Sequence, residues 1–135
     1  MKKFVNQPKV RGMLLGLLLL FLLIIGSCAT FYNSLHDTEQ DRSVVTIKKK
    51  QPKSVVLFYK DTCPDCKKIF KQVWVSSWKK NIQFVNLNQK QNRHYIGEYD
   101  LQYVPTLIYL KNGKEEKRYV GNNSNKIKEI MNEAK

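Results

Sequence analysis

The pattern of apolar and polar positions changes character several times along the chain, and each change predicts an element. Residues 13–26 (MLLGLLLLFLLIIG) are apolar without a break and follow Lys2, Lys3, Lys9 and Arg11. That placement does not suit a buried core helix. Counted on to Tyr32, the segment is about 20 residues, enough to cross about 30 Å of hydrocarbon. Cations ahead of it and Asp37, Glu39 and Asp41 behind it orient residues 1–12 toward the cytoplasm and the rest outside. Three fates are open: residues 13–32 stay as an uncleaved anchor; Ile25-Gly26-Ser27-Cys28 acts as a lipobox, which makes Cys28 a candidate lipidation residue; or Ser27-Cys28-Ala29 is an ordinary signal cleavage site. Each leaves residues 33–135 on the far side of a membrane.

Residues 31–42 (FYNSLHDTEQDR) are polar and lack a period, so 33–50 reads as a tether and first element, with 42–50 ambiguous between a short helix and an edge strand. Gln51-Pro52-Lys53 breaks the chain, and residues 51–135 then carry the pattern of a compact domain. Residues 54–59 (SVVLFY) predict a buried strand. In 67–80, Ile69, Phe70, Val73, Trp74 and Trp78 share one face of an amphipathic helix. Residues 82–88 predict a second strand, and 91–101 a short helix with Tyr95, Ile96 and Tyr99 inward. A third strand follows at 104–110. Asn112-Gly113 signals a hairpin into an antiparallel fourth strand at 115–120, which Gly121 ends. Ser124 caps a last helix in which Ile127, Ile130 and Met131 share a face. This order predicts an α/β fold, a central mixed sheet with helices on both faces.

Composition sharpens the picture in two respects. At 135 residues and 42% hydrophobic, the chain holds one domain and an appendage, and is too apolar to be disordered. Its net charge is +13; without residues 1–27 it still carries 20 basic against 11 acidic side chains, or +9. The cations fall as Lys48-Lys49-Lys50, Lys67-Lys68, Lys79-Lys80 and scattered singles, with no nucleic-acid reader motif around them. A solvated surface near an anionic leaflet accounts for them, and no nucleic-acid partner is expected.

The chemistry lies in Cys63-Pro64-Asp65-Cys66, at the junction of the first strand and the amphipathic helix. Pro64 suits the first helical position, where its missing N–H costs nothing. A sulfur at Cys63 faces the positive end of the helix dipole and unpaired N–H donors, both of which favour thiolate over thiol. Cys66 lies one turn on, within bridging reach and less exposed. Lys60, Lys67 and Lys68 add positive potential, while Asp61 and Asp65 oppose it. A zinc site needs about four ligands, and beyond this pair the chain offers His36, His94 and Cys28 with no second C-x-x-C. So small a loop is also a poor structural staple. A redox pair needing no metal or cofactor remains, with Cys63 attacking and Cys66 resolving.

From residue 54 to 135 the chain resembles the thioredoxin family. The resemblance rests on the strand–CPDC–helix unit, Val104-Pro105-Thr106-Leu107, Lys111-Asn112-Gly113, Tyr119-Val120-Gly121 and the last helix. It implies the thioredoxin fold, a cis Pro105 packed against the redox pair, and a substrate-binding surface made by Pro64, Val104, Pro105 and Gly121. In that role the main chain of Val104 pairs with an extended substrate. The family's cytoplasmic members carry a buried Asp six residues before the first cysteine and a Trp just before it; here these are Leu57 and Thr62. With its apolar lead, the chain resembles the small membrane-tethered thioredoxin-like proteins of Gram-positive bacteria, bacteriocin accessory proteins among them. The implied function is thiol–disulfide exchange on secreted or surface proteins bearing cysteines, as oxidase or isomerase. The alternatives are a reductase fed by a membrane redox partner and a non-catalytic binding or chaperone module.

Overall fold

The computed structural model describes residues 8–134, so Lys2 and Lys3 of the basic lead lie outside the described residues. The chain divides into two compact units, 1–37 and 38–135.

Helix α1 (Pro8–Gln40) opens the chain. Its apolar residues point outward on every side: Leu14, Leu17, Leu20 and Leu23 are all about half exposed or more. A helix that is apolar all round has no core stripe to bury. Residues 10–40 are long and apolar enough to cross a membrane. The hydroxyls of Ser27 and Thr30 fold back onto the carbonyls of Leu23 (2.8 Å) and Ser27 (2.9 Å), so neither interrupts the helix. The helix also runs through most of the stretch expected to be a tether: residues 31–40 hold no Gly or Pro and continue in regular helix.

The second unit is a four-stranded sheet in the order β2-β1-β3-β4, built from β1 (Lys53–Tyr59), β2 (Ile82–Asn86), β3 (Thr106–Lys111) and β4 (Lys114–Val120). β1 pairs parallel with β2 and antiparallel with β3, and β4 is the antiparallel edge. The predicted thioredoxin-like α/β architecture is present. Val56 and Phe58 face a cluster with Val85, Leu87, Tyr95, Tyr99, Leu101, Ile108 and Leu110. Alternate residues of β1 point the other way, where Tyr59 meets Phe70 of α2 (Pro64–Ser77) at 5.0 Å between ring centroids. α4 (Ser124–Asn132) packs beside α2 and buries Ile127, Ile130 and Met131. Asn112 and Gly113, both at positive φ, turn the hairpin as expected. β4 is exposed along nearly its whole length and reads KEEKRYV.

Four local readings change. α4 is capped by Asn123, whose Oδ1 accepts the N–H groups of Asn125 (3.0 Å) and Lys126 (3.2 Å), and Ser124, expected as the cap, is its first helical residue. Residues 42–50 form neither helix nor strand. Their main chain is satisfied by side chains: Val45 N–H donates to Asn92 Oδ1 (2.9 Å), Ile47 N–H to Tyr95 Oη (3.0 Å), and Tyr95 Oη–H to the Val45 carbonyl (3.0 Å). α2 ends at Ser77, so Trp78 caps it instead of extending its inner face; it is 63% exposed and meets Trp74 edge-on. The expected helix at 91–101 is a 3-10 turn followed by α3 (His94–Glu98), which buries Tyr95 and leaves Ile96 outside.

Candidate active site

The site forms where β1 runs out. Cys63 N–H donates to the Lys60 carbonyl (3.0 Å), closing a tight turn that delivers Cys63 to the start of α2. Cys63 is the N-cap: its backbone is extended, Pro64 follows at the first helical position, and its sulfur accepts the Cys66 N–H at 3.4 Å. A sulfur in this position takes one of the amide hydrogens that a helix start leaves without a partner.

The two cysteines sit in different surroundings. Cys63 is partly exposed, whereas Cys66, one turn along the inner face, is 1% exposed. Burial pushes the Cys66 thiol up to about 12, helped by the hydrogen bond it shares with Cys63 and opposed by one from the Lys60 main chain. Neither sulfur is bonded to another in the structure, so the geometry described is that of the two thiols.

Of the other predicted site residues, Val104 and Pro105 come to the sulfur. The Val104–Pro105 bond is cis, and the Cys63 Sγ–H points at the Val104 carbonyl at 3.8 Å. Gly121 joins this loop through its N–H, which donates to the Pro105 carbonyl at 3.0 Å. Pro64 is exposed beside Cys63. Cys28 lies exposed on α1, in the other unit.

Sequence reasoning gave Asp61 only an electrostatic part and Arg42, Asn86 and Asn88 none. Asp61 is buried two residues before Cys63. It accepts two hydrogen bonds from Arg42, at 2.6 and 3.1 Å, one from Asn86 at 3.1 Å, and one from Asn88. The Arg42 guanidinium, ahead of every other cause, holds its carboxyl down at about 2. Asn88 Nδ2 also reaches the Thr62 hydroxyl at 3.1 Å. Asp65, between the cysteines, is held below the usual carboxylate range by Lys68 and by Asn122. An acid just ahead of the nucleophile and the asparagines closing β2 were the signals in the sequence. Nothing there linked them to Arg42.

A partly exposed thiol capping a helix, a buried thiol one turn on and a proline loop at the first sulfur, all on a mixed sheet, define the class of thiol–disulfide oxidoreductases. The chain belongs to the thioredoxin family, whose model, described as Thioredoxin, matches residues 34–133. It is 32% identical over 83 residues to a thioredoxin of Mycoplasmoides gallisepticum, a match covering 58% of this chain and 81% of that one. It is 28% identical over 79 residues to Thioredoxin-T of Drosophila melanogaster, covering 57% of this chain and only 50% of that protein's length. Among solved structures, Fasciola hepatica thioredoxin superposes with a TM-score of 0.57 at 27% identity, covering 64% of this chain and 85% of that one.

Proposed function

We propose that this protein exchanges dithiol for disulfide with cysteine-bearing proteins outside the membrane, held there by residues 13–32 with residues 1–12 in the cytoplasm. The observation that carries the chemistry is the asymmetry of the pair: Cys63 partly open at a helix start, Cys66 buried behind it. In the reducing direction the Cys63 thiolate attacks a substrate disulfide. One bond forms between Cys63 and the first substrate sulfur, and the substrate S–S bond breaks, releasing a thiolate that takes up a proton. Cys66 then loses its proton and attacks Cys63. The Cys63–Cys66 disulfide forms, the mixed disulfide breaks, and the second substrate thiol leaves. The substrate has gained two electrons and the pair has lost two. The reverse sequence donates the disulfide.

The proline loop supports a docking role in either direction, because the Val104 main chain lies beside the sulfur and can pair with an extended chain. Outside the cytoplasm paired cysteines rest oxidised, which favours the oxidase or isomerase direction. The long apolar helix and the cations ahead of it support the membrane placement.

The test uses the full chain in detergent micelles with a scrambled disulfide protein as substrate. Wild type is expected to restore the native disulfides, Cys63→Ser to lose all activity, and Cys66→Ala to accumulate a mixed disulfide on Cys63. A midpoint potential well above about −270 mV supports the oxidising direction, and one at or below it reverses the assignment. A Cys63→Ser/Cys66→Ser chain that keeps full function in cells refutes the redox reading and leaves a binding module.

A further inference from the structure

The turn that presents Cys63 is gripped from outside the motif. Asp61, in that turn, has a side chain only 6% exposed and four hydrogen bonds to its carboxylate. Two of them come from Arg42, on the irregular segment that follows α1, and two from asparagines at the end of β2. Gln89 ties the Arg42 carbonyl down at 2.6 Å, and Asn86 holds the neighbouring Asp41 carbonyl at 3.1 Å. Asn88 bridges from Asp61 to Thr62, the residue before the nucleophile. We propose that Arg42 and Asp61 form a clasp that fixes the Cys63 turn and cancels a buried negative charge two residues from the sulfur, so that both are positioning residues for its attack.

The logic is electrostatic as well as steric. A carboxylate near a sulfur opposes the negative charge that the sulfur must carry to attack, and a guanidinium paired with that carboxylate removes the opposition. The other charged and titratable groups around the turn are Lys60 within it, Asp65, Lys67 and Lys68 at the start of α2, Glu39, Asp41 and Tyr59 on the Arg42 side, and Cys66. Of these, Asp65 is already paired with Lys68 at 2.8 Å. The last residue of β2 and the turn after it contribute the neutral amides of Asn86 and Asn88. The inference rests on Cys63 being the attacking sulfur, and it assigns the segment after α1 a part in the site that the cysteine motif does not contain.

The test measures the rate of Cys63 alkylation by iodoacetamide across pH, by peptide mass spectrometry, on the full chain in detergent with Cys28→Ser. Arg42→Gln leaves Asp61 uncompensated and is expected to move the midpoint of the profile up by about one pH unit, slowing alkylation at pH 7 several-fold. Asp61→Asn leaves Arg42 unopposed and is expected to move it down. The double variant returns it toward wild type, and Arg42→Lys keeps most of the wild-type behaviour. A purely structural pair would lower thermal stability in both single variants without opposite shifts. Unchanged midpoints, or shifts of the same sign, overturn the proposal. Should Asp61→Asn fail to fold, the two Arg42 variants decide the matter, because that side chain is 56% exposed. A chain whose midpoints shift as expected but which exchanges no disulfides refutes the functional reading and leaves the clasp standing. One that exchanges disulfides yet ignores both charges refutes the clasp alone.

Discussion

Release of substrate depends on Cys66, and its burial makes the release step strongly dependent on pH. Before Cys66 can attack the mixed disulfide it must ionise, and in the dithiol form its thiol is pushed up to about 12, first by desolvation and next by the hydrogen bond with Cys63. Against an ordinary thiol near 9, that is about a thousandfold less thiolate at pH 7. A more basic thiolate is intrinsically more nucleophilic, with a Brønsted slope of about 0.5, which recovers about thirtyfold and leaves the step about thirtyfold slower. The contributions from Cys63 vanish once that sulfur is tied up in the mixed disulfide, so this figure is an upper bound, and desolvation keeps the group above 9. The assay is stopped-flow reaction of the reduced Cys28→Ser chain with 5,5′-dithiobis(2-nitrobenzoate). It releases one thionitrobenzoate as Cys63 attacks and a second as Cys66 resolves. The second phase is expected to accelerate about tenfold per pH unit from pH 6 to 9. A rate that levels off at or below pH 9 would refute the reasoning, because it would mean that the buried thiol ionises like an exposed one near 9.

Asp61, held at about 2 against an ordinary 3.8, has a depressed folded value, so its contribution to stability is full above pH 4 and lost as pH falls toward 2. Linkage sets an upper limit of about 2 kcal/mol, and the half-solvated Arg42 partner reduces it to about 1 kcal/mol. Urea unfolding of wild type and Asp61→Asn should therefore differ at pH 6 and converge near pH 2. Phe58 is fully buried, with Tyr99 5.3 Å away between ring centroids, so Phe58→Ala should cost about 3–5 kcal/mol in the same measurement. Asn92, also fully buried, bonds the main chain of Ser43, Val45 and Asn86. Asn92→Ala should cost about 3 kcal/mol and speed hydrogen–deuterium exchange at Val45.

The parts of the chain that could be read in advance are those whose partners are close in sequence or whose pattern is strictly periodic. The β-branched run 54–59, the proline after Cys63 and Asn112-Gly113 each specify local geometry, and β1, the start of α2 and the hairpin formed where they indicated. The cis bond and the approach of Val104 to Cys63 came through the family resemblance, since no local rule brings residue 104 to residue 63. Segment 42–50 resisted because its hydrogen-bond partners, Asn92 and Tyr95, lie nearly fifty residues downstream and are side chains. Trp78 fitted the inward stripe by spacing, but a stripe does not say where a helix stops, and α2 stops one residue before it. Arg42 and Asp61, nineteen residues apart, form no pattern at all in the sequence.

The edge strand β4 carries a consequence for the company this protein keeps. Under the proposed function the protein would meet sticky, extended peptides, and an open sheet border invites such chains to add on as a further strand. Lys114-Glu115-Glu116-Lys117-Arg118 lines that border with charges of both signs, which makes fusion with a passing chain costly. The proline loop, which enters β3 and is tied to the end of β4 by the Gly121 N–H, is under the proposed function the place where a client strand would lie down and still leave.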